Sequence, residues 1–174
     1  MIDIQSFSKP YEKQVIELIV SIQAKEFGVS ITAEDQPDLN DIENYYQKNA
    51  GNFWVALDDN KVVGTIALVD IGNQQGALRK MFVKEGFRGK PLLIGQQLMD
   101  TLQKSCKNNS IKEIYLGTVP NYYAAHRFYE KNGFFRVKES NLPNNFEIMK
   151  VDTLFYKKVL PKSRFRIAIK SASN

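Results

Sequence analysis

Residues 78–90 read Leu78-Arg79-Lys80-Met81-Phe82-Val83-Lys84-Glu85-Gly86-Phe87-Arg88-Gly89-Lys90, and residues 93–99 read Leu93-Ile94-Gly95-Gln96-Gln97-Leu98-Met99. The first run predicts a strand that ends at Val83 and continues into a short cationic loop. Apolar residues then recur at helical spacing from Leu92 to Cys106, which predicts an amphipathic helix. This succession of strand, basic loop and helix start is the most informative feature of the chain.

Such a succession can bind phosphate. The first turn of a helix has backbone N–H groups without intrahelical partners and the positive end of the helix dipole. Gly89 permits close approach of the backbone to a ligand, and Arg88 and Lys90 add positive charge. The spacing differs from the Walker A and dinucleotide-binding motifs, which disfavours a P-loop NTPase or a nicotinamide enzyme. From these residues alone, a solvated basic turn without a ligand is the alternative.

Hydrophobic patterning on both sides of this stretch predicts a mixed sheet. Strands are expected at residues 2–7, 53–57, 61–69, 77–83, 111–118, 134–137 and 153–159, and helices at 11–27, 39–48, 92–106 and 122–132. Three consecutive strands joined by hairpin turns, followed by alternating helices and strands, indicate a mixed sheet with flanking helices. The expected class is α/β (an α+β mixed sheet), with six to seven strands and about four helices.

A second motif reads Asn121-Tyr122-Tyr123-Ala124-Ala125-His126-Arg127-Phe128-Tyr129-Glu130-Lys131-Asn132-Gly133-Phe134. It is similar to the downstream signature of the GNAT superfamily of N-acetyltransferases, an Asn followed by Ala, Phe-Tyr and Gly-Phe. Val83-x-x-x-Phe87-Arg88-Gly89-Lys90 resembles the same family's coenzyme-A-binding motif, which runs from the fourth strand into the third helix. The predicted element order over residues 1–159 agrees with the GNAT order, so the resemblance covers nearly the whole chain.

The resemblance implies a GNAT-like acyl-CoA N-acyltransferase fold with acetyl-CoA as co-substrate and no metal. Tyr129 matches the tyrosine that acts as general acid toward the departing thiolate. Backbone groups of the fourth strand would contact pantetheine, and loop amides would hold the pyrophosphate. The expected cofactor-binding residues are Met81, Phe82, Val83, Arg88, Gly89, Lys90, Leu93, Ile94, Gly95, Asn121, Ala124 and Tyr129.

One departure from the family pattern affects the loop. Members commonly show Arg-Gly-x-Gly-x-Gly/Ala, whereas this chain has two additional residues, so that Leu93-Ile94-Gly95 stands at the position of Gly-x-Gly/Ala. Pro91 has no N–H to offer a phosphate, although proline suits the first turn of a helix. The sequence does not indicate which of the remaining amides point at the pyrophosphate.

Several candidate residues also have purely structural interpretations. Tyr129 could pack in the core with its hydroxyl at the surface, and Asn121 could simply cap a helix. The single histidine, His126, is expected to be exposed rather than catalytic. No general base can be named; Glu85, Asp70 and Glu147 are the acidic residues considered. The long segment 142–153 resembles an acceptor-side loop, and a dimer contact is the alternative.

Composition limits the function classes. The chain has 174 residues, 24 basic and 19 acidic; six basic residues and no acidic one lie from Lys157 onward, so residues 1–156 carry 18 basic and 19 acidic residues. We expect one domain at 1–160 and a basic tail at 161–174, with little attraction of the domain for nucleic acid. The single Cys106 excludes an intrachain disulfide and is expected to be a buried thiol. One Cys and one His do not support a zinc site.

The sequence therefore predicts a cytoplasmic N-acetyltransferase that moves an acetyl group from acetyl-CoA to a primary amine by direct attack. The acceptor, a small molecule or a peptide amine, is not identified, and a homodimer is considered. No nucleic-acid or membrane partner is expected. One alternative is a non-catalytic acyl-CoA-binding sensor or interaction module on the same fold. Another is a nucleic-acid or membrane-associated protein that works through its tail, which truncation after Leu160 would test.

Overall fold

A computed structural model describes residues 1–28 and 31–161. Seven strands form one sheet: β1 (Ile2–Ser6), β2 (Asn52–Asp58), β3 (Lys61–Gly72), β4 (Gln75–Val83), β5 (Glu113–Thr118), β6 (Phe135–Val137) and β7 (Leu154–Val159). The α-helices are α1 (Glu12–Phe27), α2 (Ile42–Tyr46), α3 (Ile94–Asn108) and α4 (Tyr123–Lys131). Within the described residues, no helix is long and apolar enough to cross a membrane.

The sheet is open and mixed, with strand order β1-β2-β3-β4-β5-β7-β6. Only β4 and β5 pair in parallel, through Gln75–Ala77 and Glu113–Tyr115, and every other neighbouring pair is antiparallel. The pairing stops at Ala77 although β4 continues to Val83. The two central strands therefore diverge, and a gap opens between them in the middle of the sheet.

Helices cover the two faces of the sheet because alternate residues of each strand point to opposite sides. On the α3–α4 face, Ile94 and Leu98 pack with Ile66 and Leu116 in one buried cluster. On the α1–α2 face, Val15 and Ile19 of α1 and Ile42 of α2 pack with strand residues that include Phe53 and Val55. Residues 142–152 extend this second layer, since Phe146 packs with Ala77, Tyr115 and Phe155.

The predicted element order is confirmed, with two differences in helix bounds. The helix expected at 92–106 begins at Ile94, because Leu93 adopts a left-handed backbone conformation with φ 50°. The helix expected at 39–48 is reduced to α2, preceded by a 3₁₀ turn at Pro37–Asn40. The hairpin turns predicted near residues 59 and 73 are confirmed by positive φ at Asp59, Asn60, Asn73 and Gln74. The predicted tail lies outside the described residues from residue 162 onward.

Candidate active site

The gap between β4 and β5 is bordered on the β4 side by an irregular stretch of backbone. Thr65 pairs with Phe82 and Ala67 with Arg79, so Ile66 alone stands opposite both Lys80 and Met81. Lys80 has φ 51°, and the buried Thr65 hydroxyl donates a 2.7 Å hydrogen bond to its carbonyl oxygen. Such a bulge redirects backbone groups of its strand. Met81, Phe82 and Val83, the predicted pantetheine-binding residues, follow directly after it.

The loop from β4 to α3 presents fewer free amides than the sequence indicated. The amide of Leu93 donates a 2.7 Å hydrogen bond to the carbonyl of Gly89, and Pro91 has no N–H. Gln97 donates its amide to the carbonyl of Leu93, which closes the first turn of α3. Because helical geometry gives the first-turn amides no intrahelical partner, Ile94, Gly95 and Gln96 supply the donors that point out of the helix end. Leu93 is not available as a donor in this conformation.

Two predicted phosphate-binding cations differ in their surroundings. The Nε of Arg88 donates a 2.7 Å hydrogen bond to the carbonyl of Val83, and its guanidinium pairs with Glu26 of α1. Lys90 is exposed. Arg88 therefore holds the loop against the end of β4 and against α1, while Lys90 faces solvent.

The start of α3 lies close to both β4 and α4. A Cβ added at Gly95 would lie 3.4 Å from the Met81 side chain and 3.8 Å from the ring of Phe128. Three elements that contribute predicted cofactor-binding residues therefore converge at one end of the gap. Ala124 and Asn121 lie at the start of α4, and both are exposed. The cap of α4 is Tyr122 and carries no side-chain capping bond, so the capping interpretation of Asn121 is wrong.

Tyr129 lies on the buried side of α4. Its side chain is 8% exposed, and its ring contacts Phe134 and Tyr156 with centroids 5.9 and 6.1 Å away. Its hydroxyl has no hydrogen-bond partner among the described residues. Burial, together with the nearby carboxylate of Asp152, raises the pKa of Tyr129 above its usual value. The phenol therefore stays protonated at neutral pH, the state that a general acid requires.

A polar cluster that the sequence analysis missed lies on the other face of the gap. Arg79 of β4 points to the α1–α2 face, where its guanidinium stands 3.7 Å from the carboxylate of Asp152 and 4.8 Å from the centre of the Phe146 ring. It also donates to the carbonyl of Glu147. Arg79 thus holds residues 146–152 over the sheet. In the sequence, Asp152 is only an acidic residue at the end of a long loop. No characteristic spacing links it to Arg79 or marks it as part of a site.

Asp152 is the carboxylate of this cluster that pairs with Arg79. Its side chain is 8% exposed, and one oxygen accepts a hydrogen bond of 3.3 Å from the amide of Met149. It lies directly on Gly117 of β5, since a Cβ added there would stand 2.2 Å from the Asp152 carboxylate oxygen. Burial raises the pKa of Asp152, and the charge of Arg79 opposes the shift only in part.

A cavity of about 220 Å³ opens beside Arg79 on the same face. Its walls bring together an arginine, two carboxylates and an amide: they are Tyr45, Val69, Asp70, Ile71, Ala77, Arg79, Asn145 and Glu147. Asp70 is engaged by the amides of Ala50 and Gly72, at 3.1 and 2.9 Å. The cavity therefore presents charge of both signs beside β4, near the residue at which its pairing with β5 ends.

A second basic residue of β4, Lys80, already has hydrogen-bond and ion-pair partners. Lys80 donates to Gln36 at 2.7 Å and pairs with Asp38 at 3.3 Å, and the Tyr46 hydroxyl donates to the same carboxylate. Burial lowers the pKa of Lys80, while Asp38 acts in the opposite direction. This network connects β4 with the segment between α1 and α2, and we interpret it as structural.

Two other sequence expectations have clear outcomes. His126 is buried, at 4% exposure, and its Nε2 lies 2.9 Å from the carbonyl of Val119, so the expectation that it is exposed is wrong. The helix turns it toward the Tyr156 ring rather than toward solvent. Cys106 is fully buried as expected, and burial raises its pKa to about 12. The described residues contain no group of three or more side chains of the metal-binding types.

Comparison with known proteins decides the family. The sequence profile of the acetyltransferase (GNAT) family matches residues 16–134. The chain belongs to the GNAT acetyltransferase family. This GNAT chain resembles the crystal structure of a GNAT-family acetyltransferase from Staphylococcus aureus Mu50 with a TM-score of 0.87 and 40% identity, over 92% of its own length and 100% of the other chain. The crystal structure of an acetyltransferase from Streptococcus agalactiae 2603 is similar with a TM-score of 0.87 and 32% identity, over 91% of this chain and 98% of the other.

These matches confirm the predicted family and fold. The same matches identify the family as one of acetyltransferases, in agreement with the predicted enzyme class. Among curated proteins, the GNAT chain is 38% identical over 103 residues to N-acetylaspartate synthetase from Xenopus tropicalis. That match covers 56% of this chain and 36% of the relative, so the chain spans about a third of the length of the curated relatives that it matches.

Proposed function

We propose that this chain transfers an acetyl group from acetyl-CoA to the primary amine of a small acceptor by direct attack within the gap between β4 and β5. The observation that carries the proposal is that both faces of this gap have suitable groups. The start of α3 and the protonated Tyr129 lie on one face, and a polar cavity lies on the other. The two substrates can therefore meet through the sheet.

On the α3–α4 face, the amides of Ile94 and Gly95 and the charge of Lys90 are suited to a pyrophosphate. Met81, Phe82 and Val83 follow the bulge at Lys80 along the part of β4 that does not pair with β5, where we expect pantetheine to contact this strand. Arg88 would join the phosphate contacts only after it leaves Glu26. Asn121 and Ala124, at the exposed start of α4, complete the proposed surface.

In the transfer step, the neutral amine attacks the thioester carbonyl, a C–N bond forms and the C–S bond breaks. Tyr129 donates its proton to the leaving sulfur and recovers one from the amine nitrogen through solvent. Its raised pKa favours the protonated state before the reaction, whereas a thiol with an ordinary pKa near 8.5 is an adequate leaving group. Cys106 lies buried in α3 and takes no part, so no acyl-enzyme is formed.

For the acceptor, we propose the α-amino group of a small amino acid, with L-aspartate the first to be tested. The cavity beside the gap combines Arg79 with Asp70 and Glu147, which suits a zwitterion better than a polycation. Arg79 would bind the acceptor carboxylate. The name of the curated relatives, N-acetylaspartate synthetase, points to the same class of acceptor.

The test begins with calorimetric titration of acetyl-CoA into the native protein and into the Arg88→Ala/Lys90→Ala variant. Thiol release is then followed with L-aspartate, L-alanine, spermidine and a peptide with a free N-terminal alanine. Micromolar binding that is weakened in the variant, with turnover of L-aspartate, would support the proposal. Binding without turnover of any of these amines would favour the acyl-CoA sensor, and no binding would overturn both.

A further inference from the structure

Asp152 occupies a position that a structural ion pair does not explain. An anchor for residues 142–152 could lie anywhere on the sheet, yet this carboxylate lies on Gly117, where β5 no longer pairs with β4. Gly117 is the only glycine of β5, and any side chain there would collide with the carboxylate. The carboxylate therefore lies at the gap because the strand has no side chain at this point.

Tyr129 approaches the same place from the opposite face. It lies on α4 and packs on Tyr156, whose strand pairs with β5 through Leu116. Leu116 precedes Gly117 on β5, so Tyr129 lies over the strand pair next to the position on which Asp152 lies. A carboxylate and a protonated phenol thus border one opening in the sheet from its two sides, as a base and an acid for one transfer would.

We propose that Asp152 is the general base that removes a proton from the acceptor ammonium, directly or through one water. The inference rests on the proposed function. The ammonium gives one proton to the Asp152 carboxylate, and the resulting amine attacks the thioester as described above. Asp152 then returns the proton to solvent, so the carboxylate is regenerated and no other reactant is needed.

The surroundings of Asp152 suit a base. Among the described residues, Arg79 of β4 is the charged group that pairs with it, Gly117 of β5 brings no side chain, and Met149 contributes an amide. Burial makes the carboxylate more basic than an exposed one, which brings its pKa nearer to working pH. The pair with Arg79, at 3.7 Å, leaves room for a proton donor.

The acids considered from the sequence are less suitable. Asp70 already accepts hydrogen bonds from two backbone amides. Glu85 is exposed in a 3₁₀ turn of the loop after β4, and Glu147 is exposed on the outer side of the cavity. Among these acids, Asp152 alone lies against the open edge of β5, and its side chain is 8% exposed.

The decisive measurement is the pH profile of kcat/KM for Asp152→Asn, with acetyl-CoA and the fastest of the four amines named above. Asparagine has nearly the same volume and can still accept the hydrogen bond from Met149, so the fold should persist. We expect kcat/KM at pH 7 to fall about 10²-fold, the usual contribution of a general base. In the native protein kcat/KM should level off once Asp152 has ionised. In the variant it should keep rising with pH up to the pKa of the amine.

Two further variants complete the experiment. Gly117→Ala displaces the carboxylate without removing it and should change the pH profile in the same way. Asp3→Asn, an exposed carboxylate of β1, removes the same charge and should change nothing. Calorimetry with acetyl-CoA verifies that each variant is folded.

The outcomes separate this inference from the proposed function. If the native protein turns over none of the four amines, the proposed function has failed. If the native protein is active and Asp152→Asn keeps its rate, or is slower with an unchanged pH profile, Asp152 is not the base. An unchanged profile with a lower rate would assign it an anchoring role for residues 142–152.

Discussion

The two faces of the gap between β4 and β5 are built in different ways. On the α3–α4 face, most of the groups that would hold acetyl-CoA come from one stretch, residues 81–95, and Asn121 and Ala124 at the start of α4 complete the surface. On the α1–α2 face, the polar groups come from four separate parts of the chain, among them Asp70, Arg79 and Asp152. Residues of the α3–α4 face are mostly neighbours in the sequence, whereas those of the α1–α2 face are brought together only by folding.

This difference separates two kinds of specificity. A pyrophosphate is the same in every reaction of the family, and the end of one helix can hold it with backbone groups. An acceptor must be distinguished from other amines, which needs side chains of particular charge at particular distances. We therefore expect variants on the first face to change binding of acetyl-CoA, and variants on the second to change choice and activation of the amine.

The largest expected effect belongs to Tyr129, which lies on the first face but acts at the gap. Tyr129→Phe should lower kcat about 10²-fold because the leaving thiolate loses its proton donor. The hydroxyl has no partner among the described residues, so its loss should leave the melting temperature and the Kd of acetyl-CoA unchanged.

Steady-state rates and calorimetry test this expectation, with Tyr11→Phe as a matched control on a tyrosine of the other layer. Since the pKa of Tyr129 is raised, the native rate should show no loss from ionisation of this phenol between pH 7 and its ordinary range near 10. A native kcat in the Tyr129→Phe variant would disprove the acid role.

The next effect concerns the second face. Arg79→Gln should raise the KM for L-aspartate about tenfold, because one charge-assisted hydrogen bond contributes at least about 1.4 kcal/mol. The KM for spermidine, the amine of the panel without a carboxylate, and the Kd of acetyl-CoA should stay the same. The KM of Arg79→Lys for L-aspartate should lie between those of the native protein and Arg79→Gln, since lysine keeps the charge but lacks the planar guanidinium. Equal changes for both amines would show that Arg79 only positions the loop 146–152.

The contrast between the faces also explains what could be predicted from the sequence. Alternating and helical periodicity was sufficient for all seven strands and the order of the helices. The segment 81–95 was recognisable because its residues are contiguous. The start of α3 was misplaced by two residues because Leu93 adopts a left-handed conformation that leucine rarely takes.

The acceptor face could not be predicted in the same way. Asp152 and Gly117 belong to different parts of the chain, and no spacing in the sequence predicts the contact between them. The expectation that His126 is exposed was wrong for a related reason. Its exposure depends on which side of α4 packs against Tyr156, and the sequence of one short helix does not determine that. Both cases depend on contacts between elements that are distant in the sequence.

A smaller effect distinguishes the two cations of the loop. Lys90→Ala should weaken acetyl-CoA binding roughly fivefold at low salt, which is the upper range for an exposed ion pair. The difference from the native protein should shrink as salt is added, because exposed charges are screened. Arg88→Ala should weaken binding less, since the guanidinium already bonds to Glu26 and to the carbonyl of Val83. The reverse order would show that Arg88 turns to the phosphates on binding.

The smallest expected effect tests whether the ion pair with Glu26 keeps Arg88 from binding the phosphates of acetyl-CoA. Glu26 and Arg88 are 33% and 41% exposed, so their pair contributes little to stability and can be broken at low cost. Glu26→Gln should therefore tighten acetyl-CoA binding about twofold, within the range of about 0.2–1 kcal/mol for such pairs. Glu17→Gln, on the same helix and paired with Lys13, makes the same change of charge at a distance. If both variants tighten binding equally, the cause is net charge. If only Glu26→Gln does, α1 tunes the affinity of the cofactor face through one side chain, and the two faces are coupled through Arg88.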